Sequence, residues 1–464
     1  MNIEIKKNEE YIVDIIDNGF EGEGIAKINN FTIFVKGAIK GEKVKILILK
    51  VNSSFAFSKI LEIIEASENR IEVDCSMYNR CGGCDLRHIQ YKKTLEIKKN
   101  LVQSMVNKML DNKIIVQDTV GMDYPFNYRN KAQYPIGIDK KDTPIFGVYA
   151  NRTHEIIEIK NCKIQTEISE QISQYIVKFM KNNKIIPYNE KNQTGVFRHI
   201  IIKVGFRTNE IMCIFVVNDT NIINEKKLVY ELINKFPNIK TIIKNINNKD
   251  TNVILGSKNI VLYGDGYIKD KLGEYIFKIS PMSFYQTNVV QTEKLYNLAI
   301  KNAKLTKNDI VFDLFCGIGT IGIFASKYVK RVYGIEIVKE AIEDAKQNAQ
   351  TNNVQNIEFM VGDVEFAFTE LIKNRKIIPD VVFLDPPRRG LDLTTIENLI
   401  EISVQKIIYI SCNPATLLRD LKKLEDKYVI ESITPVDMFP WTTHVECCTS
   451  LYRRNVDIST KTSD

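Results

Sequence analysis

Three groups of residues in this 464-residue chain have types and spacing suited to chemistry. The first is Cys75-x5-Cys81-Gly82-Gly83-Cys84, three thiols within ten residues, with Cys162 as a candidate fourth. Four cysteines hold either a zinc ion or an iron–sulfur cluster. Zinc sites usually come as two Cys-x2-Cys pairs and only one is present, so spacing leaves both metals open. The second is Phe315-Cys316-Gly317-Ile318-Gly319-Thr320. Glycine lets a ligand touch the backbone, and a helix N-terminus just after the turn favours anions. The third is Ser411-Cys412-Asn413-Pro414, with His444-Val445-Glu446 following near the end. These supply a thiol nucleophile and two candidates for a general base. A lone cysteine is more often a small buried hydrophobe, so the placement of Cys412 must decide.

The elements around these residues predict that placement. Ile310–Leu314 reads as an apolar strand entering the glycine loop, and Ile321–Lys330 as the helix leaving it. The next strand, Arg331–Glu336, ends in a carboxylate about 20 residues after the loop, where an acid can accept both ribose hydroxyls. Ile357–Val361 leads to Gly362-Asp363, and Val381–Leu384 leads to Asp385-Pro386-Pro387-Arg388. In open α/β sheets ligands bind at the carboxyl ends of the strands, so these polar termini describe one crevice. A Rossmann dehydrogenase fits less well, because the loop lacks the third glycine. Ile407–Ile410 is a fifth strand that delivers Cys412 to the same edge. His444 and Glu446 alternate, so on an extended segment they share one face, and residue type does not choose between them.

The rest of the chain organises around this C-terminal unit. Residues 1–63 read as a small β-barrel of the oligonucleotide-binding kind, with strand runs Thr32–Val35 and Val44–Leu49 between turn glycines. Residues 64–90 and 119–270 form a mixed α/β central domain. Within it Ile156–Ile159, Ile200–Val204 and Ile211–Val217 are strand-like, whereas Ile168–Met180 and Lys226–Phe236 are helical. Tyr91–Leu110 carries an apolar stripe at helical spacing, and residues 91–118 group with 271–454. The polar tail 455–464 is expected to be disordered. Tyr128-Arg129-Asn130-Lys131 and Phe197-Arg198-His199 interleave rings with cations, a mixture suited to stacking bases and pairing phosphates.

A net charge of +7 leans towards an anionic partner without requiring one. No run approaches the ~20 apolar residues of a membrane-spanning helix, and the N-terminus has no secretory pattern. A cytoplasmic location is therefore expected, where nine cysteines read as metal ligands, thiols or packing residues rather than disulfides. Cys213, Cys316, Cys447 and Cys448 are assigned to packing.

Together, Ser411-Cys412-Asn413-Pro414, Asp385-Pro386-Pro387-Arg388 and His444-Val445-Glu446 resemble the RNA 5-methyluridine methyltransferase family. The resemblance covers nearly the whole chain. Gly22-Glu23-Gly24-Ile25-Ala26, Val35-Lys36-Gly37-Ala38 and Gly41-Glu42 are similar to a TRAM domain, an RNA-binding appendage of RNA-modifying enzymes. The family resemblance implies that Cys412 is the nucleophile and Glu446 the base. It matches Ser280–Asn288 to the segment whose glutamine, here Gln286, contacts S-adenosylmethionine, and Asp385 to the acid at the cofactor and uracil end. Phe315 stands where many relatives carry tyrosine, so a ring contact carries over and a hydroxyl contact does not. Cys75, Cys81, Cys84 and Cys162 resemble the [4Fe–4S] site of the family's ribosomal RNA members.

The resemblance implies a multidomain protein with a Rossmann-like S-adenosylmethionine (SAM) methyltransferase domain, whose cofactor residues are Gln286, Phe315, Glu336, Asp363 and Asp385. It implies methylation of uridine C5 in a loop or opened segment of 23S ribosomal RNA, by a monomer with no membrane partner. A thiolate adding at uracil C6 makes C5 carbanion-like; C5 takes the methyl group, and a base removes the remaining proton so that the thiol leaves. A transfer-RNA substrate is the rival within the class. A non-catalytic RNA-binding protein on a degenerate methyltransferase domain is the rival outside it, disfavoured because Cys412, Glu446, Gln286 and Asp385 occur together. An iron–sulfur redox protein would need a second electron-carrier site, and the sequence shows none.

Overall fold

The computed structural model describes residues 5–111, 114–150, 153–219 and 221–454. The tail expected to be disordered lies outside them.

At the N-terminus, alternating residues turn one face of each strand inward, so Val13, Ala26, Ile33, Val35, Val44, Ile46, Ile48 and Ala56 make a core of their own. The sheet order is Glu10–Asp14, Lys43–Val51, Phe55–Glu65, Phe31–Lys36, Gly24–Ile28, Asp17–Asn18. The chain leaves its first strand, which pairs with Lys43–Val51, and two residues later pairs with Gly24–Ile28 through Asp17–Asn18. The sheet of six strands, one of them only two residues long, thus closes on itself.

The central region is a seven-stranded sheet in the order Lys258–Tyr263, Ile239–Ile246, Ile211–Val217, Phe197–Val204, Lys131–Ile138, Pro144–Tyr149, Ile156–Glu158. Phe197–Val204 and Ile211–Val217 are buried throughout, the second as an unbroken apolar run and the first with Arg198, His199 and Lys203 buried among its apolar residues. The helices Glu167–Asn182 and Glu225–Lys235 cover one face. The hairpin Ile268–Leu272/Tyr275–Ile279 meets the other through Ile268 and Ile279.

The C-terminal sheet runs Ile357–Val361, Arg331–Glu336, Ile310–Leu314, Val381–Leu384, Lys406–Ser411, Glu446–Arg453, Tyr428–Val436. The first five strands are parallel. The last two are antiparallel and arrive in reversed spatial order, the final strand sliding between its predecessor and Lys406–Ser411. The helix Tyr91–Met109, distant in sequence, shares this core: Val102, Met105 and Val106 pack in one cluster with Leu417, Leu418 and Leu421 of the helix Pro414–Leu424. The helix after the cofactor loop spans Thr320–Ser326, shorter than its sequence pattern suggested. Among the described residues no helix is long and apolar enough to cross a membrane.

Candidate active site

Five strand ends converge at one edge of the C-terminal sheet. Ile310–Leu314 delivers the loop Phe315–Gly319, in which Phe315, Gly317 and Gly319 have φ of 65°, 54° and 81°. A phenylalanine in this region is strained, and such strain persists only where the surroundings impose it. At Gly319 a side chain would also meet the Phe359 ring at 2.5 Å, so glycine is required there. Glu336 closes the loop from the neighbouring strand, its Oε2 accepting from the Gly317 amide at 3.2 Å. Asp363 stands exposed at the next strand end and caps a helical turn, accepting from Phe366 N at 2.8 Å.

The loop borders a cleft lined by Phe284, Gln286, Tyr296, Phe315, Gly317 and Asp385 among others. Beneath it Asp313 is fully buried. Its Oδ2 accepts from Gly322 N at 2.8 Å, and its Oδ1 has no partner among the described residues. Burial pushes its carboxyl up to about 8. Glycine cradle, ring, glutamine and ring of acids fit an adenosine-bearing cation with a ribose diol. Sequence reasoning brought Gln286, Phe315, Glu336 and Asp385 to this cleft or its loop; Asp363 lies at its outer rim.

The segment that carries Gln286 is gripped from two domains. Lys203 of the central sheet donates to the carbonyls of Ser280, Pro281 and Ser283 at 3.0, 2.9 and 3.1 Å. Burial, with Lys131 nearby, pulls its ammonium down to about 7. Asp344 accepts from the hydroxyls of Ser280 and Ser283 at 3.1 and 2.5 Å, and Asn130 Nδ2 donates to Gln286 O at 2.9 Å. Neither Lys203 nor Asp344 stood out in the sequence, since a lone lysine in a strand carries no spacing signal.

Cys412 is half-buried one residue beyond the strand Lys406–Ser411, where Pro414 starts a helix capped by Asn413. The strand register pairs Ser411 with Cys447, so Cys412 and Glu446 face each other one step further along the ladder. Glu446 is 3% exposed. Burial raises its carboxyl well above the ordinary range, the charge of Asp385 raises it further, and Arg388 opposes both. Burial likewise raises the Cys412 thiol; Glu446 and Asp385 add to this and Arg388 again opposes. Cys412, Glu446, Asp385 and Arg388 therefore share one electrostatic site. Arg388 was visible in the sequence as part of the Asp-Pro-Pro-Arg segment, but its part in the site was not. His444, the alternative base, is exposed, and its ring meets Phe439 edge-on at 6.1 Å.

A buried ion pair positions the strand that begins at Glu446. Lys98 Nζ lies 2.5 Å from Asp437 Oδ1 and also donates to the carbonyls of Phe439 and His444 at 3.2 and 2.7 Å. Tyr91 donates to the other Asp437 oxygen at 2.7 Å. The helix Tyr91–Met109 thus clasps the connection between the last two strands.

Residues 90–454 match the tRNA (uracil-5-)-methyltransferase family, and residues 5–61 match the TRAM domain. The chain belongs to this family of RNA uracil-5 methyltransferases. It is 47% identical over 448 residues to an RNA methyltransferase of Clostridium acetobutylicum, covering 96% of this chain and 97% of that one. An RNA methyltransferase of Staphylococcus aureus is 43% identical over 444 residues, covering 95% and 98%. The crystal structure of Pyrococcus abyssi tRNA (uracil-54, C5)-methyltransferase, in complex with S-adenosyl-L-homocysteine, superposes with a TM-score of 0.73 at 25% identity. That match covers 95% of this chain and 100% of the other.

In this methyltransferase the four cysteines of the first motif are half-buried and near enough to act on one another electrostatically. Cys81 acts electrostatically on Cys84, Cys162 on both Cys81 and Cys84, and Cys75 on Cys81 and Cys162. Gly83 N donates to Cys81 Sγ at 3.3 Å, and the amides of Ile164 and Gln165 point at Cys162. The guanidinium of Arg129, whose buried Nε has no partner among the described residues, acts on the thiols of Cys84 and Cys162. No group of three or more His, Cys, Asp or Glu among the described residues closes round a single metal ion. Cys213, Cys316, Cys447 and Cys448 are buried.

The interleaved aromatic and cationic segments are mostly not on the surface. Tyr128, Asn130, Phe197, Arg198 and His199 are buried. Tyr128 OH donates to Pro440 O at 3.0 Å, and Arg198 donates to the carbonyls of Asn247 and Lys249 at 2.9 and 2.7 Å. The expectation that these segments stack RNA bases and pair phosphates is corrected for those five residues: they are buried, Arg198 fastening the central domain internally and Tyr128 and Asn130 tying it to the C-terminal domain.

Proposed function

We propose that the protein transfers a methyl group from S-adenosylmethionine to C5 of uridine in 23S ribosomal RNA, with Cys412 as covalent nucleophile and Glu446 as base. The observation that carries this reading is the opposed Cys412–Glu446 pair at the mouth of the Phe315–Gly319 loop. Gln286, Phe315, Glu336 and Asp385 hold the cofactor, with Asp363 at the rim; when bound, it supplies an electrophilic methyl group. Cys412 adds through sulfur to C6 of uracil, leaving electron density on C5. After C5 is methylated, Glu446 takes its remaining proton, the C5–C6 double bond re-forms and the Cys412–C6 bond breaks. Burial of Glu446 beside Asp385 makes its carboxylate a stronger base than an exposed one, and Arg388 favours the thiolate of Cys412. The target base must leave its stack to reach Cys412.

Ribosomal RNA is favoured by the pairing of a TRAM domain with the four-cysteine set. Cys75, Cys81, Cys84 and Cys162 hold a [4Fe–4S] cluster in this reading. The thiols act on one another electrostatically, and amide and Arg129 donors offset the charge that thiolate ligands would carry. Methyl transfer needs no electron, so the cluster serves structure or RNA positioning. A transfer-RNA substrate is the second reading, supported by the end-to-end superposition on the Pyrococcus abyssi enzyme.

Tritium release decides among these. Full-length protein with S-adenosylmethionine is given 23S ribosomal RNA or bulk transfer RNA carrying [5-³H]uridine. Release from 23S RNA alone is the expected result; release from transfer RNA alone selects the second reading, and release from neither rejects both.

A further inference from the structure

Segment 385–391, which carries Asp385 and Arg388, is clasped by the helix that starts two residues after Cys412. Gly390 N donates to Pro387 O at 2.9 Å, closing a turn in which Gly390 has φ of 75°. On the helix Pro414–Leu424, Thr416, Arg419 and Asp420 are three and four positions apart and share one face. Thr416 Oγ1 and the capping Asn413 Nδ2 both donate to Arg388 O at 3.2 Å. Arg419 Nη2 donates to the carbonyls of Arg389 and Leu391 at 2.9 and 3.1 Å. Asp420 Oδ2 accepts from Leu391 N at 2.9 Å, and its Oδ1 accepts from Arg419 Nε at 2.8 Å. Oδ2 also accepts at 2.8 Å from the hydroxyl of Tyr409, on the strand that leads to Cys412. A Cβ at Gly390 would lie 2.6 Å from Asp420 Oδ2, so turn and helix face are in direct contact.

Asp420 and Tyr409 are fully buried. An apolar side chain would serve packing at position 420 at no electrostatic cost. The carboxylate instead joins strand, helix and turn through three donors. That matters for Arg388, which is exposed and is the charged side chain that favours the Cys412 thiolate against burial, Glu446 and Asp385. A long exposed side chain has many rotamers, so where its charge sits depends first on how its backbone is held.

We propose that Arg419 and Asp420 are positioning residues of the nucleophile, holding the Arg388 turn so that the guanidinium stays beside Cys412 before RNA or cofactor arrives. The inference rests on the reading of Cys412 as the nucleophile and adds what prepares it.

Alkylation of Cys412 by iodoacetamide in the full-length protein, followed across pH by mass spectrometry of the peptide that contains it, tests this. The thiolate is the species that reacts. R388M should raise the inflection by about half a pH unit, which slows reaction at neutral pH about threefold. D420N presents an amide where Arg419 needs an acceptor; it and R419M should each raise the inflection too. R388M/D420N should match R388M, because the clasp acts only through the charge it places. An inflection unmoved by R388M, or by both D420N and R419M, overturns the proposal. So does a double variant whose rise is the sum of the single ones, or a D420N protein that loses thermal stability with its inflection in place. Should D420N not fold, R419M and R388M/R419M carry the same comparison, since the Arg419 side chain is half-exposed. The assay needs neither RNA nor turnover. Turnover retained in C412A would therefore remove the nucleophile reading and leave the clasp, whereas unmoved inflections would remove the clasp and leave the Cys412 chemistry.

Discussion

Cys412 and Glu446 stand opposite each other where the strands Lys406–Ser411 and Glu446–Arg453 pair antiparallel, one step beyond Ser411 and Cys447. They are 34 positions apart in the chain, and two rigid strand ends set their separation. In the proposed reaction that separation must admit a uracil ring, with C6 at the sulfur and the C5 proton at the carboxylate.

Removing either partner separates the two halves of the reaction. Cys412→Ala should abolish methylation and adduct formation while cofactor binding, measured by calorimetry, persists. Glu446→Gln should lower turnover by roughly 10²–10⁴-fold and let a methylated protein–RNA adduct accumulate on denaturing gels. Retained turnover in the first variant, or normal turnover without adduct in the second, overturns the assigned roles.

The pH dependence follows from burial. Burial and Asp385 raise Glu446 above its ordinary value, and Cys412 is raised as well. The kcat/KM profile should therefore climb well above the ordinary glutamate range of about 4.3. Arg388 opposes both shifts, so Arg388→Met should move the rising limb to higher pH. Stability runs the other way. The unfolded carboxyl loses its proton near ~4.3 while the buried one keeps it, so the folded state binds more protons over that window and stability falls as pH rises through it. Glu446→Gln should flatten that fall, as read by denaturant midpoints between pH 5 and 8.

The Lys98–Asp437 pair is 1% and 0% exposed. Lys98→Met leaves Asp437 charged, buried and short of a partner, and should cost about 3–5 kcal/mol. Lys98→Met/Asp437→Asn should recover much of that loss. Urea titration of the single and double variants checks it; additive losses would show that the pair does not act as a unit.

Anaerobically purified protein should be brown and carry a [4Fe–4S] complement of iron, both lost in Cys162→Ala. Colourless protein containing zinc would remove the cluster from the account.

Much of the site was legible in the sequence because parallel strands announce themselves. Apolar runs ending in Glu336, Asp363, Asp385 and Cys412 place those residues at one sheet edge whatever the details of packing. The choice between His444 and Glu446 was not legible. Both share a face of an extended segment, but the strand begins only at Glu446, which is buried, and leaves His444 exposed just before it. The cationic and aromatic segments at 128–131 and 197–199 misled for a related reason. Residue type states what a side chain can bind, and only the fold shows that Tyr128 and Arg198 have already found carbonyls inside the protein.

The sequence by itself determined the cofactor-type loop, the strand that presents Cys412 and the composition of the four-cysteine set, because these depend on local periodicity and short spacing. Tertiary structure decided that the final strand enters between its two predecessors and sets Glu446 against Cys412. It also decided that Lys98 and Lys203 clamp segments hundreds or tens of residues away. Such contacts arise from burial and from the demand that every buried polar group find a partner, and neither leaves a periodic trace in the chain.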